Sequence, residues 1–281
     1  MANRLSKALS QLGALLAQPP APASVQEFPV LRNFILDIMA EGRRKNTIHL
    51  TFEVELSPIR QHLADYARQN GEPLSMTAYL AKSLANAIQI HQHMHAYRQG
   101  KSRLIVFDEV DLAVMVEREV NGHVMPVNII VRDAGRKPIQ QVSSEIRSAK
   151  TAPLGETGPL TALDMQFFQL PRFLRKAVWW YIRRDPQAFK QLAGTVAVTS
   201  MGMHAQGPAV VIPVTPMTLT LSIGAGYRSV KMHNGSPVEC EMLQMNFSAD
   251  HDIIDGAPLM RFVEHYKQVL ALGMANGNLS V

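Results

Sequence analysis

The stretch that decides the fold is Asp250-His251-Asp252-Ile253-Ile254-Asp255-Gly256, which joins the alternating run VECEMLQMNF (238–247) to an apolar-periodic run at 256–274. Period-two alternation reads as a strand, and apolar residues recurring three and four apart read as a helix. His251 is therefore expected just beyond a strand end, with an Asp-Gly pair four residues on. Imidazole titrates near neutral pH, so a histidine held in that way can take the proton of an attacking thiol, which is a poor nucleophile until deprotonated. Gly256 permits a tight backbone path, and Asp255 can brace the turn through polar contacts. Asp255 is equally placed to N-cap the following helix, a purely structural use. Both readings stand at this point.

Working outward, the chain reads as strands alternating with helices. TIHLTFEVEL (47–56) alternates like a strand, and Ser57-Pro58 signals a helix start running to about residue 69. A second helix is expected over 75–91, with Leu80, Leu84, Ala87 and Ile88 on one face. Strands follow at 103–107, 110–116 and 124–131, the last two joined through Asn121-Gly122, a hairpin signal. A helix over 139–149 precedes strands at 195–199, 218–223, 229–233 and 238–247, with Asn234-Gly235 as a second hairpin turn. At the other end, Leu5, Leu9, Leu12 and Leu16 recur at helical spacing, and Pro19-Pro20-Ala21-Pro22 reads as a stiff linker. Residues 1–28 thus read as a docking helix and linker, and 29–281 as one α/β domain.

Composition narrows the class. A length of 281 residues with 47% hydrophobic and 18% charged residues is that of a globular chain with a substantial core. The one cysteine, Cys240, excludes a disulfide framework and a cysteine-based zinc site, and a reducing, cytoplasmic setting is expected. The net charge of +5 is modest, with no long basic run and only 6% aromatic residues, which argues against nucleic acid. No apolar run approaches the ~20 residues of a membrane helix.

The ordered blocks LSMTAYLAKSLANAI (74–88), DLAVMVEREVNGHVMPVNIIVRDAGRKPI (111–139), GTVAVTSMGMHAQGPAVVIPVTPMTLTLSIGAG (194–226) and DHDIIDGAPLMRFVEHYKQVL (250–270) resemble the catalytic domain of the dihydrolipoamide acyltransferases of 2-oxoacid dehydrogenase complexes. The resemblance implies an α/β fold like that of chloramphenicol acetyltransferase, with a mixed sheet and flanking helices. It also implies a homotrimer or a multiple of three, with each active site at a subunit interface. By the same resemblance His251 is the general base toward the thiol of coenzyme A or dihydrolipoamide, and Asp255 orients the motif. Thr199 is the oxyanion donor in the turn after the first strand of the third block, or Ser200 if the register is one residue off.

Three departures from the family pattern stand out. No lipoyl or subunit-binding domain is expected before the core, and no covalent lipoyl group is expected on this chain. Asp252 stands where the family usually has arginine. An aromatic and basic insertion, MQFFQLPRFLRKAVWWYIRRDPQAFKQL, occupies about 160–192, with Pro171 and Pro186 bracketing an expected helix of about four turns. That insertion is expected to pack on its own domain or to wall the acceptor entrance. A small-molecule acceptor is slightly preferred over a separate lipoyl carrier protein. The alternative from another class is a trimeric scaffold or regulator that no longer turns over.

Two clusters complete the candidates. Arg43, Arg44 and Lys45, with Arg132 and Arg136, are candidates for the phosphates of coenzyme A; the plainer use is a solvated surface. His91, His93 and His95 include a pair one helical turn apart, as a metal pair would be, yet they fall at a helix end where the dipole also favours histidine. No metal is expected, and a role for one of them in lining the acceptor channel stays open.

Overall fold

The computed structural model describes residues 7, 13, 24–25, 27–30, 32–120, 123–151, 162–200, 207–275 and 278–279. Apart from Lys7 and Gly13, the expected N-terminal helix at 2–17 falls outside that set, as do the linker at 19–22, the Asn121-Gly122 turn and Met201-Gly202. A six-stranded mixed sheet organises the rest, in the order β1 (Thr47–Glu55), β8 (Ser236–Asp250), β7 (Leu219–His233), β6 (Val196–Ser200), β4 (Leu112–Val120) and β5 (His123–Val131). Neighbours run antiparallel except β6, which is parallel to both β4 and β7. A short ribbon, β2 (Tyr97–Gln99) with β3 (Arg103–Ile105), lies apart from the sheet. A small C-terminal pair, β9 (Met274–Ala275) with β10 (Asn278–Leu279), follows the last helix.

The helices are α1 (Arg32–Gly42), α2 (Leu56–Asn70), α3 (Met76–Ile90), α4 (Ile139–Thr151), α5 (Ala162–Gln169), α6 (Arg172–Ile182), α7 (Pro186–Ala193) and α8 (Gly256–Leu272). Ser75 caps α3 by accepting the Ala78 N–H at 3.0 Å, which is why that helix starts at Met76. The expected start of α2 at Ser57 moves to Leu56, and Glu55 stands at its N-cap without a side-chain cap bond. The two strands expected at 218–223 and 229–233 are one 15-residue strand, β7, carried through by a register shift between Ile223 and Gly226. Its hairpin with β8 turns at Asn234 and Gly235, both at positive φ (48° and 81°), as the Asn-Gly signal requires. The expected four-turn helix between the two prolines is an 11-residue α6. Pro186 opens a further helix, α7, whose cap Asp185 accepts the Gln187 N–H at 2.9 Å.

Period-two alternation gives the sheet two unlike faces. One carries Leu219, Leu221, Met245, Phe247, Val196 and Val198 into the main core beneath α3 and α8. There Phe247 stacks on Phe52 at 5.3 Å and meets Phe262 and Tyr266 edge-on at 5.4 Å. The opposite face is polar yet buried. Register places Thr51, Asn246, Ser222 and Thr199 in one cross-strand row, and Ser248 and Thr220 in the next. The segment 209–218 crosses this face: Ala225 N–H donates to the Ala209 carbonyl at 2.8 Å, and Thr215 and Thr220 hydroxyls lie 2.8 Å apart. Gly224 is required beneath it, because a Cβ there would sit 2.2 Å from the Ala209 carbonyl oxygen.

A second, smaller core gathers Tyr97, Phe107, Trp179, Phe189 and Met217. Trp179 brings α6 into it, and the buried pair Arg175–Asp37 (2.8 Å) ties the same helix to α1. Packing and surface roles therefore divide along α6, since Phe173, Trp180 and Tyr181 remain exposed.

Candidate active site

The end of β8 is fixed from both sides. Asp250 N–H donates to the Thr218 carbonyl at 2.9 Å, and His251 N–H donates to the Asn46 carbonyl at 2.7 Å. The Asp250 carboxylate is buried and accepts Lys45 Nζ at 2.6 Å, so Lys45 braces the strand end. His251 then turns its imidazole outward, 47% exposed, with Nδ1 3.9 Å from Asp255 Oδ1. That separation is longer than a hydrogen bond. Asp255 has the extended backbone of an N-cap (φ −79°, ψ 162°), but its side chain makes no cap bond. The capping alternative thus keeps its backbone position and loses its defining interaction, while the carboxylate stays beside the imidazole.

Asp252 is not an unbalanced charge. It accepts Asn46 Nδ2 at 2.8 Å and Arg98 at 3.0 Å, and these contacts, the Asn46 bond foremost, hold its carboxyl below the usual range. Arg98, on β2, thus balances the Asp252 charge beside His251.

Thr199 and Ser200 both lie at the end of β6, and strand alternation separates them. Val196 and Val198 face the main core and Ala197 the second one, so Thr199 shares the polar face with Ala197 while Ser200 shares the side of Val198. Thr199 sits opposite Ser222, and Ser222 opposite Asn246. Crossing two strands at about 4.8 Å each and then following five residues of β8 at about 3.4 Å separates Thr199 from His251 by roughly 20 Å. A base and an oxyanion donor acting on one carbonyl must both lie about 3 Å from the reacting atoms. One chain by itself does not bring these two groups together.

Sequence reading passed over Ser222. It is 2% exposed, its hydroxyl has no hydrogen-bond partner, and it lies in register with Thr199. The signal was present in Thr218-Leu-Thr-Leu-Ser-Ile, whose alternating hydroxyls define a polar strand face, but burial of that face depends on the crossing segment 209–218.

The remaining candidates disperse. His95 is fully buried, with Nδ1 3.0 Å from the Thr195 hydroxyl and Nε2 3.0 Å from the Phe107 carbonyl, and burial pushes its pKa down to about 4. His91 packs edge-on against Phe262 and 5.0 Å from His265, and desolvation lowers its pKa. His93 is exposed. Among the described residues no three potential ligands converge on a metal position. Arg132 holds Asp111 at 2.8 Å and the Lys190 carbonyl at 2.9 Å, and Arg136 lies 3.4 Å from Asp133. Arg43 and Arg44 stay exposed at the surface.

The sequence matches the family model of the 2-oxoacid dehydrogenases acyltransferase (catalytic domain) over residues 21–166 and 185–275. The chain belongs to this family. The acyltransferase match skips 167–184, the stretch that holds α6. Among curated proteins the chain is 23% identical over 259 residues to the dihydrolipoyllysine-residue acetyltransferase component of the pyruvate dehydrogenase complex of Staphylococcus aureus (strain Mu50), covering 89% of this chain and 52% of that one. The chain spans about half the length of the curated relatives it matches. Among solved structures, a probable dihydrolipoamide acetyltransferase of Listeria monocytogenes superposes with a TM-score of 0.68 at 15% identity, covering 93% of this chain and all of that one. The Azotobacter vinelandii dihydrolipoamide acetyltransferase superposes at 0.65 with 14% identity, covering 90% and 97%. These likenesses establish the fold as that of a dihydrolipoamide acetyltransferase catalytic core. Among the described residues no helix is long and apolar enough to cross a membrane.

Proposed function

We propose that this family member is a coenzyme A-dependent acyltransferase with its active site shared between two subunits of a homotrimer or a multiple of three. The observation that carries the reading is the constellation around His251: an outward imidazole on a braced strand end, with a carboxylate 3.9 Å away. The Azotobacter vinelandii enzyme's mechanism was studied at a serine, a histidine 52 residues after it, and an asparagine four residues beyond. From His251 the same spacings fall on Thr199 and on Asp255, so both positions keep a polar group with one change each.

In this reading the acceptor's thiol, hydroxyl or amine attacks the thioester carbonyl while its proton passes to the His251 imidazole. The Thr199 hydroxyl of the adjoining subunit donates to the tetrahedral oxyanion. Collapse expels the thiolate of coenzyme A, which takes the proton back. Asp255 steadies the imidazolium formed midway. The roughly 20 Å between base and hydroxyl within one chain supports the shared site, because the sheet register cannot be bent to close it. Among the basic clusters, Arg43 is the member left for the phosphates of coenzyme A, since Lys45, Arg132 and Arg136 are paired within the fold and Arg44 faces the cleft beside α6. A small-molecule acceptor is preferred over a separate lipoyl carrier protein.

Replacing His251 by alanine tests the reading. Acyl transfer from acetyl-CoA to a panel of thiol, hydroxyl and amine acceptors, dihydrolipoamide included, is expected to fall by ~10²–10⁴ with little change in coenzyme A affinity. Undiminished turnover in a folded variant would remove His251 from the mechanism. Wild-type protein inactive with every acceptor would favour the scaffold instead.

A further inference from the structure

Beside the end of β8, two adjoining clefts of about 450 and 690 Å³ share Arg44, Gly100 and Arg183 and run between the β2–β3 ribbon and α6. Asp250 and Asp252, the neighbours of His251, line the nearer one. Six cations face this space: Arg44, Lys45, Arg98, Arg103, Arg183 and Arg184. Three carboxylates face it too, and each is already held: Glu41 by Arg183 at 2.6 Å, Asp250 by Lys45 at 2.6 Å, Asp252 by Arg98 at 3.0 Å. Arg44, Arg103 and Arg184 are left without a carboxylate among the described residues. The Arg184 guanidinium carbon lies 3.6 Å from the Trp180 ring centroid, a stacking distance that orients the group while its N–H edges stay available.

The wall is a fixed element. The buried Arg175–Asp37 pair, the Arg183–Glu41 pair and the burial of Trp179 all pin α6 against the domain. It is also the stretch that the family pattern does not include. A feature outside the shared pattern serves the substrate that differs between members rather than the thioester donor they have in common. We infer that the cleft between α6 and the β2–β3 ribbon binds the phosphate or carboxylate group of the acyl acceptor, with Arg44, Arg103 and Arg184 as its anion-holding residues. Three guanidinium groups without counter-charges present the forked donors that such oxyanions accept in pairs. This inference rests on the acyl-transfer reading above.

Inorganic phosphate, titrated at low ionic strength against tryptophan emission, is the direct probe, because Arg184 stacks on Trp180. A saturable change is expected in the wild type and is expected to vanish in Trp180→Phe, which keeps Trp179. Arg103→Gln and Arg184→Gln should each weaken phosphate binding by about 10-fold or more. Arg68→Gln, whose partner Asp65 lies on α2, should leave it unchanged. Saturating coenzyme A lacking its thiol should not displace phosphate. Displacement would hand the cleft to the donor and overturn the acceptor assignment. A missing response, or one that survives both cleft variants, would overturn the site. His251→Ala keeps the two readings apart: it should abolish turnover and leave the phosphate titration intact. A failed titration beside a normal His251 dependence sinks only this inference; turnover indifferent to His251 sinks the reading beneath it and, with a successful titration, leaves an anion site that no longer belongs to an acyl acceptor.

Discussion

Two variants that are each inactive, His251→Ala and Thr199→Val, are expected to restore activity when combined in one oligomer. The sheet register sets the magnitude. With about 20 Å between the two groups in one chain, each site must take its imidazole from one subunit and its hydroxyl from the next. In a closed trimer that contains both variants, whichever is in the majority, one junction places a subunit that keeps the imidazole against a neighbour that keeps the hydroxyl. About a third of the interfaces in such a ring then hold an intact pair. Turnover should therefore reach about a third of the wild-type value, against ~10⁻² or less for either variant alone. Differently tagged chains, co-expressed and purified through both tags, provide the mixed oligomer. Light scattering should give three 31.2 kDa chains or a multiple of three. Coenzyme A released from acetyl-CoA is then quantified by chromatography. Mixed trimers no more active than the average of the two variants would refute the shared site, as would a concentration-independent monomer.

Three further outcomes follow from local geometry. Thr199→Val should lower turnover by ~10²-fold and Ser200→Ala should not, because only Thr199 stands on the polar face; the reverse result in steady-state kinetics would shift the donor by one residue. Arg175→Leu strands the buried Asp37 carboxylate and should cost about 3–5 kcal/mol in urea unfolding, while Arg175→Leu with Asp37→Leu should recover most of it. Equal losses in the single and double variants would mean that the pair does not anchor α6. His95 has a folded pKa of about 4 against 6.5 unfolded, so its neutral form is the one the core holds. Its contribution is complete above pH 6.5 and is lost as pH falls toward 4, roughly 3 kcal/mol in all. Stability measured across that window should fall less steeply in His95→Gln, and an unchanged slope would count against this role.

Much of the fold was legible because it follows from local chemistry. Alternation in VECEMLQMNF, the Asn234-Gly235 turn and the apolar stripe of α3 each specify an element without reference to distant residues. The motif from Asp250 to Gly256 showed a strand end, a histidine and an Asp-Gly turn within seven residues, while the choice between a base and a helix cap came from the resemblance to the family. The two strands inferred around Gly224 and Gly226 were in fact one, because a bulge that permits close backbone approach looks like a break when its neighbour is unseen. Nor could sequence show which cations were free. Lys45 and Arg132 look like Arg44 in the sequence, and only folding brings Asp250 and Asp111 to the first two.

The amino-acid sequence determined most of the strands and helices and the family, and it singled out the histidine as a candidate, because periodicity and short-range spacing are properties of neighbouring residues. Tertiary structure decided what rests on strand register and charge pairing between residues some 200 positions apart. It put Thr199 and Ser222 on a buried polar face, about 20 Å along the sheet from His251. It also neutralised Asp252 with Arg98 and left three arginines uncompensated beside α6. Those outcomes depend on which groups desolvate together, and linear spacing does not encode that.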